Sequence, residues 1–172
     1  MKKSSNKGRN PSELKNHLLG SGQTEYVQTY NPEILEVFSN KNPNNDAWTT
    51  LVCTEFTSLC PKTSQPDFAK IFVNYIADKK MVESKSFKLY LFSFRNHGDF
   101  HEDCIQKICN DLFKLMKPKF IEVIGEFTPR GGIAIFPYSS MSNSNKAYEK
   151  IRNERMTHYS PGKYSMPLSK LY

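Results

Sequence analysis

Residues 47–58 and 68–77 each alternate side chains with period two, and a short proline-bounded loop separates them. The first run sets Trp48, Thr50, Val52 and Thr54 against Thr49, Leu51, Cys53 and Glu55. The second sets Ile71, Val73 and Tyr75 against Phe72, Asn74 and Ile76. Two such runs predict two strands. The period then changes. Phe87, Tyr90, Leu91 and Phe94 recur at three and four, an apolar helical stripe with Ser84 as N-cap and Gly98 as stop. A second helix opens on Asp99 and Glu102, spaced as a capping box, and carries Ile105, Ile108, Leu112 and Leu115 as far as Lys117-Pro118. Residues 120–127 and 132–137 form two further strands around the turn Thr128-Pro-Arg-Gly-Gly132. The order ββααββ predicts a two-layer α+β unit, an antiparallel sheet with both helices on one face. So small a sheet leaves edge strands open, and other subunits are expected to close them.

Charge divides the chain into three. The net +7 suggests nucleic acid at first sight. Residues 1–22 carry Lys2, Lys3, Lys7, Arg9 and Lys15 against Glu13, and residues 139–172 carry six Lys/Arg against Glu149 and Glu154. Each end is therefore +4, and 23–138 is left at −1. A basic face that reads nucleic acid is not expected in the folded part, and an RNA-binding module acting through its tails is a secondary reading. The division follows: a disordered basic tail over 1–22, a single catalytic domain over 23–138, and a polar tail over 139–172. A helix over 145–156 would lack an apolar face wide enough to pack alone. The patch Ile34, Leu35, Val37 and Phe38 is expected to clip onto the core. No apolar run is long enough to span a bilayer and no apolar signal segment follows the basic start, so a cytoplasmic protein without a membrane partner is expected.

Four cysteines are present, none in a C-x-x-C pair. Cys53 and Cys109 sit among apolar residues and read as core fillers. In Glu55-Phe-Thr-Ser-Leu-Cys-Pro-Lys-Thr-Ser-Gln-Pro-Asp-Phe68, two prolines hold the thiol of Cys60 and the carboxyl of Asp67 stiffly near each other. A nucleophile with an acid partner needs that layout. Taken alone, Cys60 reads first as a small buried hydrophobe, and Asp67 as a turn residue after Pro66. His101 and Cys104, at i and i+3, add a zinc alternative with Cys60 as third ligand and Glu102 as acid/base.

The segment Val82-Glu-Ser-Lys-Ser-Phe-Lys-Leu-Tyr-Leu-Phe-Ser-Phe-Arg-Asn-His-Gly-Asp-Phe-His-Glu-Asp103, with the Cys60 loop and Phe127-Thr-Pro-Arg-Gly-Gly132, closely resembles the NADPH-dependent 7-cyano-7-deazaguanine reductases, the nitrile reductases of queuosine biosynthesis. The run from Glu83 to Tyr90 carries that family's Glu-Ser-Lys-Ser-x-Lys-x-Tyr signature, and the likeness extends from Thr24 to Tyr138. It implies the tunnelling fold shared with the GTP cyclohydrolase I relatives, which use zinc, and assembly into a multimeric barrel, a homodecamer of two pentamers. It implies that Cys60 attacks the nitrile carbon to form a covalent thioimide and that Asp67 protonates the nitrile nitrogen. Glu102 would accept from the ring N–H and exocyclic amine of the base, with His101 as a second substrate contact or proton donor. Backbone N–H groups of Val82, Glu83 and Ser84 would hold polar atoms of the substrate. Lys85 and Lys88, with Arg130, would grip the phosphates of NADPH. No G-x-G-x-x-G is present, so a Rossmann-type cofactor domain is not expected. No metal and no nucleic acid is required. Cys104, two residues beyond Glu102, is expected close enough to Cys60 for a reversible oxidative link.

Overall fold

The computed structural model describes residues 26–160. The tail over 1–22 lies outside the described residues. Strand β1 (Val37–Ser39) precedes the long hairpin of β2 (Trp48–Leu59) and β3 (Pro66–Ile76). Strand β4 (Lys80–Val82) leads into helix α1 (Ser84–Phe92), extended by a 3-10 turn over Ser93–Asn96. Helix α2 (His101–Met116), strands β5 (Phe120–Phe127) and β6 (Tyr138–Ser142), and helix α3 (Lys146–Thr157) complete the chain. Four strands form one antiparallel sheet in the order β2-β3-β5-β6, and β1 with β4 makes a separate two-stranded ribbon. The α+β, ββααββ reading therefore holds, with the small ribbon added.

Ile71, Val73 and Tyr75 of β3 and Ile121, Val123 and Phe127 of β5 face one side of the sheet and bury there. Against them α2 packs Ile105, Ile108, Leu112 and Met116, each at most 1% exposed. Side chains of this size contribute about 1.5–3 kcal/mol apiece on burial. Gly125 permits the approach: a Cβ there would meet Ile105 Cδ1 at 2.7 Å. Leu35 joins the same core, and β1 clips onto β4, as the apolar patch predicts.

One irregularity sets the face of the loop that follows β2. Cys53 pairs with Ile71, yet Phe56 pairs with Ala69, so two residues of β2 oppose one of β3. The bulge reverses the alternation. Leu51 and Cys53 face the helices before it; Phe56 and Ser58 do so after it. Simple period-two reading of 47–58 puts Phe56 on the other side.

Three local expectations are corrected. The fourth strand lies at 138–142, not 132–137, and so extends the folded unit past Tyr138 into the expected polar tail. Residues 133–137 run beside β5 as irregular chain, where Gly125 N–H donates to Pro137 O and Phe127 N–H to Ile135 O. Pro137 has no N–H to give to a ladder. Glu83, not Ser84, caps α1, its carboxylate accepting from Lys85 and Ser86 N–H at 2.9 and 2.7 Å. No capping box forms at α2, because Asp99 is engaged elsewhere: Oδ2 accepts from Lys107 Nζ at 2.7 Å, and the backbone N–H donates to Leu59 O. The helix begins at His101, behind Phe100.

Helix α3 buries no residue, consistent with its missing apolar face. Polar contacts seat it on the second side of the sheet. Arg155 pairs with the fully buried Glu122 at 2.9 Å, Arg152 Nε donates to Ser140 O, and Tyr148 donates to Asp46. Among the described residues no helix is long and apolar enough to cross a membrane.

Candidate active site

The reactive groups meet at the end of the sheet where β2 stops and β3 begins. Cys60 leaves the ladder as its first turn residue: its N–H donates to Gln65 O, and its carbonyl accepts from Ser64 N–H. This tight loop points the N–H groups of Lys62 and Thr63 back at the sulfur. Together with the Thr63 hydroxyl, first in weight, and the Arg130 side chain, they lower the Cys60 thiol to about 6. At that value about nine-tenths is thiolate at pH 7, against about 3% for an unperturbed thiol. The other cysteines go the opposite way. Burial pushes Cys104 up to about 12 and Cys109 up to about 11, and it raises Cys53 as well. All four thiols are free.

Asp67 pairs across the hairpin with Ser58, turns toward α2, and is 3% exposed. Oδ1 lies 3.0 Å from Arg130 Nε. Oδ2 lies 3.2 Å from His101 Nε2, too poorly aligned for a hydrogen bond, and has no other hydrogen-bond partner. His101, also buried, stacks on Phe127 with ring centroids 3.9 Å apart and an interplanar angle of 10°. Neither of its ring nitrogens has a hydrogen-bond partner. Two incompletely bonded polar side chains buried side by side mark a site that a ligand completes.

Glu102 is exposed in the first turn of α2, beside His101. With no capping box to serve, its carboxylate is available to a base. Arg130 stands with Cys60 and Asp67, and no contact joins it to Lys85 or Lys88. Lys88 is exposed with Nζ 5.9 Å from the Tyr26 ring, and Lys85 is half-buried. Val82, Glu83 and Ser84 lie toward the opposite end of the sheet. Val82 pairs with Val37, and Glu83 N–H donates to Glu36 O. From there α1 and its 3-10 extension run to Gly98, which bridges to Leu59. At 1.5 Å per residue that path spans roughly 18 Å. One chain therefore brings together Cys60, Asp67, His101 and Arg130, with Glu102 beside them, and keeps Val82, Glu83, Ser84 and Lys85 apart.

Sequence reasoning placed Arg130 with the cofactor and missed its contacts to Cys60 and Asp67. It also missed Thr63, whose place two residues after Pro61 in a turn is the local signal for a hydroxyl aimed back at the thiol. Among the described residues, no three His, Cys, Asp or Glu side chains are grouped as a metal site.

Known proteins resemble the chain along most of its length. Residues 66–146 match the model of a family described as QueF-like protein. The NADPH-dependent 7-cyano-7-deazaguanine reductase of Bdellovibrio bacteriovorus is 71% identical over 165 residues, covering 96% of this chain and 97% of that one. The protein of the same name from Bacillus mycoides is 58% identical over 153 residues, covering 88% and 93%. Among solved structures, the apo archaeosine synthase QueF-Like has the same fold, with a TM-score of 0.54 at 17% identity, covering 59% of this chain and 99% of that one.

Proposed function

The chain belongs to the family of NADPH-dependent 7-cyano-7-deazaguanine reductases, and from that premise we propose that its chemistry runs through a covalent bond between Cys60 and the nitrile carbon. The enzyme is an oxidoreductase of queuosine biosynthesis that reduces 7-cyano-7-deazaguanine to 7-aminomethyl-7-deazaguanine with NADPH. The observation that carries the covalent step is a thiol lowered to about 6, at the same loop as a buried carboxyl.

The Cys60 thiolate adds to the nitrile carbon. One C≡N π bond breaks, a C–S bond forms, and the nitrogen takes a proton from Asp67, giving a thioimide. Two hydrides to that carbon are the chemistry that NADPH would supply when bound. After the first, the C–S bond breaks and Cys60 leaves as thiolate, which its depressed pKa favours. The resulting imine takes one more proton through the same carboxyl. His101, 3.2 Å from Asp67, is placed to resupply it. Glu102 accepts from the two adjacent donors of the base edge.

Lys85, Lys88 and Arg130 carry the charge that an anionic dinucleotide needs, Arg130 from one chain and the two lysines, remote from it, from a neighbouring copy. Arg130 uses Nε on Asp67 and keeps further donors in a guanidinium one-third exposed. Val82, Glu83 and Ser84, distant from Cys60 in one chain, reach a substrate if a neighbouring copy supplies them. The open edges of β2 and β6 support assembly. A homo-oligomer, a decamer of two pentamers, is the arrangement we propose, and four free thiols support a cytoplasmic location.

Intact-protein mass spectrometry after incubation with the nitrile base and no NADPH tests the covalent step. Wild type gains one adduct and Cys60→Ala gains none. No adduct on wild type, or an adduct on Cys60→Ala, overturns the nucleophile assignment.

A further inference from the structure

We propose that Arg130 is a catalytic residue of this reduction in its own right, a guanidinium paired with the buried Asp67 carboxyl that holds the neighbouring Cys60 sulfur as thiolate before any cofactor arrives. The proposal rests on Cys60 as the nucleophile. It goes beyond a phosphate contact, the only role that the sequence suggests for this residue.

The turn that carries Arg130 is built to hold it still. Arg130 N–H donates to Ile133 O and Ile133 N–H to Arg130 O, both at 3.0 Å. Between them Gly131 and Gly132 have φ of +57° and +81°, a pair of left-handed residues that only glycine adopts cheaply. The turn therefore has little freedom to reorient the residue at its base. Its Nε lies 3.0 Å from Asp67 Oδ1, a carboxyl only 2% exposed. A buried carboxylate with one cationic partner holds that partner firmly. Arg130 also donates toward the Cys60 sulfur, alongside Lys62 N–H, Thr63 N–H and the Thr63 hydroxyl. Charged and titratable groups at this place are Arg130, Asp67 and His101, with Glu102 in the first turn of α2 and Lys62 in the Cys60 loop. Arg130 pairs directly with Asp67 and is the one side-chain cation among the groups that lower the Cys60 thiol. A guanidinium offers five N–H donors, so the contacts to Asp67 and the sulfur leave others for a phosphate.

Alkylation of Cys60 by iodoacetamide, followed against pH by peptide mapping without NADPH or nitrile, separates this role from cofactor binding. Wild type is expected to show its midpoint near pH 6. Arg130→Gln is expected to move it up by about one pH unit, and Arg130→Lys by less. Adduct formation with the nitrile gives a second readout. Arg130→Gln is expected to be about tenfold slow at pH 5 and to recover to within about threefold of wild type at pH 9, where the thiol ionises unaided. Recovery at high pH also shows that the variant is folded. An unchanged alkylation midpoint, or the same deficit at both pH values, overturns the proposal. A raised KM for NADPH with an unmoved midpoint assigns Arg130 to the phosphates alone.

Discussion

Asp67 and Glu122 are both buried carboxylates with one arginine each, and they lie on opposite faces of one sheet. Glu122 is saturated. Asn74 Nδ2 and Arg155 Nη2 donate to one oxygen at 2.8 and 2.9 Å, and Tyr138 Oη donates to the other at 2.9 Å. Thr50 in turn donates to Asn74. Asp67 has a single well-formed partner, Arg130, and an imidazole that is near but misaligned. Burial without full satisfaction costs stability, so a fold retains it where something else completes the bonding. Glu122 fastens a polar helix to a sheet. Asp67 stays incompletely bonded in the same hairpin loop as Cys60, which suits the proton-donor role proposed for it.

The largest expected effect comes from Asp67→Asn. The amide keeps the shape and cannot serve as a general acid, so kcat is expected to fall by about 10²–10⁴-fold. The adduct with Cys60 should still form, and thermal unfolding should shift by only a few degrees. A variant that keeps near-wild-type turnover would falsify the general-acid role.

Glu122→Gln should behave in the reverse way. It places an amide donor among three donors and takes the charge from Arg155, at a cost of about 3–5 kcal/mol of stability. Turnover per folded molecule is expected to stay within about twofold of wild type. Chemical denaturation and active-site titration with the nitrile measure the two quantities separately. Equal stability losses for the two variants would dissolve the contrast between the carboxylates.

A third carboxylate extends it. Glu102 is exposed and free of the cap contact that its spacing from Asp99 suggests. Glu102→Gln is expected to weaken binding of the base by about 2–4 kcal/mol, since one acceptor becomes a donor facing a donor. Calorimetric titration without NADPH, in a Cys60→Ala background that cannot form the adduct, reads this directly. Unchanged affinity removes Glu102 from the site.

The comparison also marks what local sequence carries. Period two placed β2, β3 and β5 to within about two residues, and the stripe of Ile105, Ile108 and Leu112 placed α2, because each element shows its buried face in its own residues. Cys60 and Asp67 were legible as a pair for the same reason: one hairpin loop holds both. The bulge after Cys53 was not, because register depends on the partner strand. Glu122 in the run Phe-Ile-Glu-Val-Ile gives no sign that Arg155, more than thirty residues later, closes on it. The cap of α1 was misassigned because Ser84 is the better intrinsic cap, while the carboxylate of Glu83 spans two N–H groups at once. Arg130 escaped because a half-exposed arginine in a glycine turn looks alike whether it meets a phosphate or a thiolate.

The smallest expected effect concerns the thiols, where the same logic runs with opposite sign. Cys104 is buried without enough donors to hold a negative charge, and it is pushed up to about 12. Cys60 is ringed by donors and is lowered to about 6, with the Thr63 hydroxyl first among the causes. The reactive form is the deprotonated one, so reactivity is complete above about pH 6 and is lost as pH falls through it. Adduct formation should drop about tenfold per pH unit below that point and level off above it. Alkylation at pH 7 should label Cys60 and spare Cys104. Thr63→Val removes the hydroxyl and keeps both backbone N–H groups, the loop and the volume. It is expected to raise the alkylation midpoint by about one unit, with a loss of activity of severalfold at pH 6 and little at pH 8.5. A midpoint that stays near 6 in Thr63→Val would mean that the loop's N–H groups and Arg130 suffice. The hydroxyl would then belong with the saturated bonds that hold the fold rather than with those that serve the reaction.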